Sequence, residues 1–450
     1  MKEGIDKIIK KFVSALIICL IFVPVSRFIS PVAVVDFSTV YLSWLPLGVM
    51  LSTLLLLGRH AVLPLIFSFA IINQWLLGLP FPQAAILLFC QLFPVLFSCA
   101  VVYWRLGSRW RHGIPNKNMG LRIFWMGFFA PMGIKALMYL AGTWFTFPAS
   151  ISGYFGNASV IYSIVDIQNL ICAALIFTMM FYYPMRMILN PRYGRTFWNR
   201  NIKPSVIKGK RLFTFSWLIS LIILLILLCS SIESEFIAGY LVPVIFILFT
   251  LSVSKLHYPL IMLCWPVSAF MLLAYNHNFL HGVNTEYSLA FVMSVLICFT
   301  ICLIYMTRIY HRNEWIKRRW QGQALTDPLT GLPNLRALEQ TLAKRADQVV
   351  CCLHMKNLEF LSRHYGMMMR VHFKRSVTRE LQPLLEQDER LFQLPGSELI
   401  LVLRGAEAVE RLRHIVTHLN NRRIYWRNAG LDIEFGASWG EVSGAGETLH

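Results

Sequence analysis

Charge is what this chain has least of. Only 14% of its 450 residues are charged and 56% are hydrophobic, whereas charged residues make up about a quarter of a soluble globular domain, so a wholly soluble fold is excluded. Acidic side chains are the scarcer sign, 23 against 42 lysines and arginines, which leaves a net charge of +19. No small-residue cleavage site follows the basic stretch from Lys2 to Lys11, and Arg27 interrupts the apolar run behind it. The amino terminus therefore reads as a retained first span and not as a cleaved signal peptide. The ten cysteines, among them Cys19, Cys90, Cys172, Cys298, Cys351 and Cys352, fall in apolar segments or in the C-terminal region. Neither a disulfide framework nor a thiolate metal site is expected from them. Internal repeats and matched pairs of broken apolar segments are also lacking, which argues against a repeat-built transporter, including one organised around the buried charges described below.

What is there is a long apolar series. A helix needs about 20 mainly apolar residues to cross ~30 Å of hydrocarbon, and about ten segments qualify: 12–28, 39–57, 61–79, 84–104, 121–143, 160–183, 212–230, 236–252, 258–275 and 287–306. Beyond Thr307 the composition becomes that of an ordinary soluble domain. The expected organisation is a polytopic α-helical membrane domain (1–306), a connecting helix (307–324) and a small cytoplasmic α/β domain (325–450).

Lysine and arginine collect in alternate loops, as in Arg105 to Arg122, Arg186 to Arg211 and Arg308 to Arg319, while the intervening loops carry Asp36, Glu233, Glu235 and Glu286. By the positive-inside rule both termini are cytoplasmic, and the basic excess reflects topology in a lipid bilayer and not nucleic-acid binding. Two charges stand inside spans, Lys135 in the fifth and Asp166 in the sixth. Each is expensive in lipid (~2.5 to 3.5 kcal/mol), and adjacent antiparallel helices would let them pair. That pair is either a sensing pocket or ion path, or a structural ion pair. Trp44, Trp75, Trp104, Trp125, Trp144, Trp217 and Trp265 read as interface anchors or packing. His277 and His281, four apart, read as an ordinary loop beside Asn276, Asn278 and Gly282.

Residues 308–324 continue the last span as a basic amphipathic helix with Tyr310, Trp315 and Trp320, suited to the membrane surface or to a helical dimer seam. Then come breakers in Leu325-Thr326-Asp327-Pro328-Leu329-Thr330-Gly331-Leu332-Pro333-Asn334. The expected elements after them are helix 335–345, strand 349–354, helix 367–384, hairpin strands 390–394 and 399–404, helix 407–420, and a final strand pair 423–427 and 431–439. This alternation is of ferredoxin-like or palm type.

The stretch from Asp327 to Asn334, Tyr365-Gly366 as the turn after the first strand, and Ser438-Trp439-Gly440 occur in the order of a GGDEF (diguanylate cyclase) domain, which the C-terminal region resembles from Asp327 to about Gly440. The membrane part resembles the MASE family of bacterial membrane-associated sensor domains, which precede GGDEF, EAL or kinase outputs. The stretches His364 to Arg370 and Leu394 to Leu399 are similar to those of enterobacterial inner-membrane cyclic di-GMP phosphodiesterases of MASE, GGDEF and EAL layout.

The GGDEF resemblance implies phosphoryl transfer between two GTP molecules, with carboxylates that hold Mg²⁺ and activate the attacking hydroxyl. Those carboxylates are mostly gone. The aspartate expected at the end of the first strand falls on His354, and the active-site hairpin reads Pro395-Gly396-Ser397-Glu398-Leu399, with Ser397 at a normally acidic position and only Glu398 retained. The guanine-recognition asparagine falls on Ser362, the later aspartate on Val371, and the inhibitory Arg-x-x-Asp on Glu386 and Glu389. The resemblance therefore implies no catalytic residue, no resident metal and at most residual GTP binding, with Mg²⁺ expected only in an EAL domain absent from this chain. No Glu-Ala-Leu signature occurs, and the chain stops where the GGDEF family still needs its closing helix. The expectation is the sensor and regulatory part of a cyclic di-GMP phosphodiesterase in the bacterial inner membrane, acting as a homodimer. The alternative is a non-enzymatic membrane protein that recruits cyclic di-GMP turnover enzymes.

Overall fold

A computed structural model describes residues 2–442 except 36–37, 108–117, 157–158, 204–210, 231–234, 257, 276–279, 281–282, 284, 344–347, 387–388, 395–397, 406, 428 and 432. Of the sequence expectations, the paired histidines His277 and His281 and the hairpin tip Pro395, Gly396 and Ser397 lie outside the described residues. Contacts divide the chain into two units, Met1–His311 and Arg312–His450.

The first unit is a bundle of apolar helices. Among the described residues seven runs are long and apolar enough to cross a membrane, namely Ile9–Phe28, Pro46–Leu76, Phe81–Leu106, Met119–Trp144, Val160–Leu189, Arg211–Cys229 and Glu286–Lys317, and Leu241–Ser252 and Tyr258–Ala274 are shorter. The run Pro46–Leu76 is not one rod. Trp44 and Phe69 place their ring centroids 6.0 Å apart, whereas a straight helix would hold positions 25 residues apart at about 37 Å. The reversal falls at Gly58, whose φ of 60° suits glycine, and the return helix is Val62–Ile71 with a π-turn at Ile72–Leu76. With this fold-back, each of the ten expected segments finds a helix among the described residues.

The second segment needs a correction. Its expected first residues do not enter the helix. They belong to β2 (Ser38–Tyr41), which pairs antiparallel with β1 (Val32–Val35) in a hairpin, before helix Pro46–Leu57 starts with proline in its first turn. The β-branched run from Val32 to Val35, with Thr39 and Val40, favours extended backbone. A 12-residue helix is about 18 Å long, too short to span alone. It runs through the bundle interior, with every residue from Pro46 to Leu55 buried. Gly48 makes this possible, because a Cβ there would sit 3.2 Å from the Ala173 carbonyl oxygen and the Phe177 backbone. Close backbone approach at small residues is how helices associate in lipid, and Ser52 Oγ adds a hydrogen bond to the Thr178 carbonyl at 2.8 Å.

The tryptophans divide by position. Trp75, Trp104 and Trp144 are about four-fifths exposed near helix ends, as interface anchors would be, while Trp217 and Trp265 are buried with their indole N–H groups bonded to Leu248 O (2.9 Å) and Thr300 Oγ1 (3.1 Å). Helix Glu286–Ala324 runs without interruption from the last span into the connector, 39 residues in all, or about 58 Å.

The second unit carries a four-stranded antiparallel sheet of order β4-β5-β3-β8, with β3 Gln348–Met355, β4 Arg390–Gln393, β5 Leu399–Leu403 and β8 Phe435–Val442. Helices Leu335–Leu342, Met367–Leu381 and Ala408–Asn420 pack on it. β5 is buried throughout because helices cover both sheet faces. Two sequence expectations change here. Leu358–Tyr365 is a helix, so Tyr365-Gly366 is a junction between two helices, made by Gly366 at φ 85°, and not the turn after the first strand. The expected last strand, 431–439, is two, since β7 (Ala429–Leu431) pairs with β6 (Ile424–Trp426) while β8 pairs with β3.

Candidate functional site

The stretch Asp327 to Asn334 is a self-bonded loop. Asp327 Oδ1 accepts from Leu329 N (3.0 Å), Thr330 N (2.7 Å) and Thr330 Oγ1 (2.8 Å), and Gly331 takes φ 76°. Burial alone would raise the Asp327 carboxyl, but these donors outweigh it and hold the group below its ordinary range. Asn334 caps helix Leu335–Leu342, and Gln393 N donates to Pro333 O at 2.8 Å, fastening the loop to β4. The motif is thus architectural, and it positions the edge from which the hairpin departs.

At the sheet end above β3, His354 Nε2 lies 2.9 Å from Ser438 Oγ and its Nδ1 lies 3.4 Å from Glu398 Oε1. Cys352 joins them, its Sγ 4.0 Å from His354 Nδ1. Burial and then the neighbouring Glu398 push the Cys352 thiol up to about 11. Leu399 is buried opposite Leu353, and Leu394 N donates to Glu398 O at 3.3 Å, closing the hairpin stem. Mg²⁺ takes near-octahedral oxygen ligands and is held through carboxylates. Among the described residues of this cluster only Glu398 offers a carboxylate, so the set does not fit the magnesium centre of a cyclase. Val371 is buried in helix Met367–Leu381, where it serves packing.

Glu386 and Glu389, where the sequence resemblance expects the inhibitory Arg-x-x-Asp, face an arginine of their own domain. Arg411 grips Glu389 with both terminal nitrogens (Nη1 to Oε1 2.8 Å, Nη2 to Oε2 2.6 Å) and lies 3.2 Å from Glu386 Oε1. The Glu389 side chain is 1% exposed and also accepts from Glu386 N and Arg404 N. These carboxylates stabilise the guanidinium, so Arg411 holds its proton more tightly than an ordinary arginine.

The membrane unit contains the other candidate. Lys135 and Asp166 meet at 2.5 Å, with side chains 7% and 14% exposed, and Lys135 Nζ also donates to Tyr154 O at 3.0 Å. Helical spacing lines up their neighbours, since Lys135 and Met138 share one face and Asp166, Asn169 and Leu170 another. Around the pair is a cavity of about 80 Å³ walled further by Arg27, Tyr41, Trp44, Gln91 and Tyr154. Asn169 Oδ1 accepts from Trp44 N at 2.6 Å, and Asn73 Nδ2 donates to Gln91 Oε1 at 3.4 Å. The cavity lies where helix Lys2–Phe28 ends and helix Pro46–Leu57 begins. Its two cations, one carboxylate and aromatic rim suit a small polar ligand. The pair itself was visible in the sequence. Arg27 and Tyr41 were not, because only the fold-back and the hairpin bring them there. Cys352 was also missed, although strand alternation places it on one face with His354.

A bundle of apolar helices with a polar cavity, continued by one helix into an α/β domain, is the architecture of an integral membrane protein. A MASE1 family model matches residues 13–314, and one described as "Diguanylate cyclase, GGDEF domain" matches residues 324–449. The chain belongs to the MASE1 family and carries a GGDEF domain after it. It is 52% identical over 449 residues, all of its own length, to "Probable cyclic di-GMP phosphodiesterase PdeA" of Escherichia coli K12, covering 62% of that protein. It is 25% identical over 435 residues, 93% of its length, to "Cyclic di-GMP phosphodiesterase PdeF" of the same organism, covering 56% of it. The chain therefore spans about three fifths of the length of these curated relatives. A diguanylate cyclase/phosphodiesterase structure from Caldicellulosiruptor saccharolyticus is 15% identical, covers 27% of this chain and 78% of its own, and gives a TM-score of 0.25.

Proposed function

We propose that this chain is the membrane sensor and regulatory portion of a cyclic di-GMP phosphodiesterase system, in which the GGDEF domain makes no cyclic di-GMP. The observation that carries this reading is His354 and Ser397 at the positions where the GGDEF resemblance expects metal carboxylates, with Glu398 alone retained, in a chain 52% identical along its full length to a probable cyclic di-GMP phosphodiesterase. Two-metal phosphoryl transfer needs charged oxygens at both metals, and one carboxylate supplies neither the clamp nor the base. The alternating basic loops support a bacterial inner-membrane protein with both termini in the cytoplasm. The unbroken helix Glu286–Ala324 supports a homodimer that passes changes at the cavity to the GGDEF domain, which acts on an attached or partner hydrolase.

The test is an assay of membranes containing the natural gene product with GTP and with cyclic di-GMP. Hydrolysis of cyclic di-GMP without its synthesis is expected, with Lys135→Ala changing the hydrolysis rate at equal protein level. Cyclic di-GMP made from GTP would overturn the reading. Absence of both activities, with turnover enzymes co-purifying, would favour the recruiting protein instead.

A further inference from the structure

We propose that Cys352, His354 and Glu398 form a binding site for zinc, in place of the magnesium chemistry that the domain has lost. These three are the only group of three or more potential ligands converging this closely among the described residues, all donor atoms lying within 4.8 Å of one another. Tetrahedral zinc with Zn–N and Zn–O near 2.1 Å and Zn–S near 2.3 Å sets N···O at about 3.4 Å and S···N at about 3.6 Å. The observed His354 Nδ1 to Glu398 Oε1 distance is 3.4 Å, and Cys352 Sγ to His354 Nδ1 is 4.0 Å, so the first spacing already matches and the second is a few tenths of an ångström longer than the ion requires.

The frame is rigid. β3 is hydrogen-bonded on both sides, with Cys352 opposite Ile400 on β5 and Ser438 on β8. Ser438 Oγ at 2.9 Å from His354 Nε2 does what an outer partner of a metal-bound histidine does, fixing the ring so that the other nitrogen faces the ion. The side chains of His354 and Glu398 are each 45% exposed, which leaves the fourth tetrahedral position to water. Thiolate and imidazole favour zinc over magnesium, which prefers oxygen. The site is therefore accessible and exchangeable, suited to making the GGDEF domain responsive to a transition metal.

The experiment uses the full chain in detergent, reduced and stripped of metal, and titrates it with Co²⁺ as a spectroscopic stand-in for zinc. One Co²⁺ per chain is expected, with a thiolate charge-transfer band and tetrahedral d–d bands that zinc displaces. Cys352→Ser should remove the charge-transfer band, while Cys351→Ser, on the opposite strand face, should leave it. Ser438→Ala, an exposed change that removes no ligand, should weaken binding by about 10-fold, in the range of outer-partner losses, and Glu398→Gln by more. No charge-transfer band in the unmodified chain, or a band that survives Cys352→Ser, would overturn the proposal. Neither result depends on whether cyclic di-GMP is made or hydrolysed.

Discussion

Removing one partner of the Lys135–Asp166 pair should destabilise the membrane unit far more than removing both. At the observed 2.5 Å the attraction is about 7 kcal/mol for an effective dielectric near 20, much of it offset by desolvation of the two ions. Losing the ammonium alone, as in Lys135→Met, exposes that desolvation term at a carboxylate only 14% exposed, and a loss of about 3 kcal/mol is expected. Asp166→Leu alone leaves the ammonium with the Tyr154 carbonyl at 3.0 Å and should lose a similar amount. The double variant, with two apolar side chains meeting across the helices, should fall within about 1 to 2 kcal/mol of the parent, a coupling above ~2 kcal/mol. The assay is unfolding of the purified chain by denaturing detergent, followed by fluorogenic thiol labelling of Cys19, Cys90, Cys99 and Cys172, all at most 5% exposed. Single effects that add to within ~0.5 kcal/mol in the double variant would show that the two charges do not act as a pair.

Two further outcomes follow for the soluble unit. Arg411→Ala removes the two-point grip on the buried Glu389 carboxylate, leaving the Glu386 and Arg404 backbone donors, and should cost about 2 to 4 kcal/mol, whereas Arg411→Lys should recover part of it; hydrogen exchange across β4 and helix Ala408–Asn420 reads both, and unchanged protection in Arg411→Ala would refute the role given to the pair. Lys374 is 1% exposed, and burial, with Arg370 nearby, lowers its ammonium to about 8 against a weaker opposing effect of Asp327. Between about 8 and its unfolded value of 10.5 the unfolded chain binds more protons, so stability should rise by up to ~3 kcal/mol as pH climbs through that window. Lys374→Met should remove this alkaline gain and stabilise the domain at pH 7; calorimetry at pH 7 and 9.5 giving the same pH dependence for both chains would contradict it.

Hydropathy and motif order are local properties, and what they encode was legible in the sequence. The division into an apolar helical part and an α/β part, the ten apolar segments, and the charges at Lys135 and Asp166 all follow from residues read in order. Helix Leu358–Tyr365 escaped because its pattern is short, and the hairpin Val32–Tyr41 because apolar β-branched residues look alike to a span count whether they extend or coil.

Only the tertiary structure decided which distant residues meet. The reversal at Gly58 brings Trp44 against Phe69 and, with the hairpin, sets Arg27 and Tyr41 beside Lys135 and Asp166. The packing of helix Ala408–Asn420 hands Arg411 to the buried Glu389. The register of β3 with β5 and β8 draws Cys352, His354, Glu398 and Ser438 to one sheet end. Each of these meetings joins residues separated by tens of positions or more, and such contacts are set by the backbone path and strand register, which no local pattern of residue types encodes.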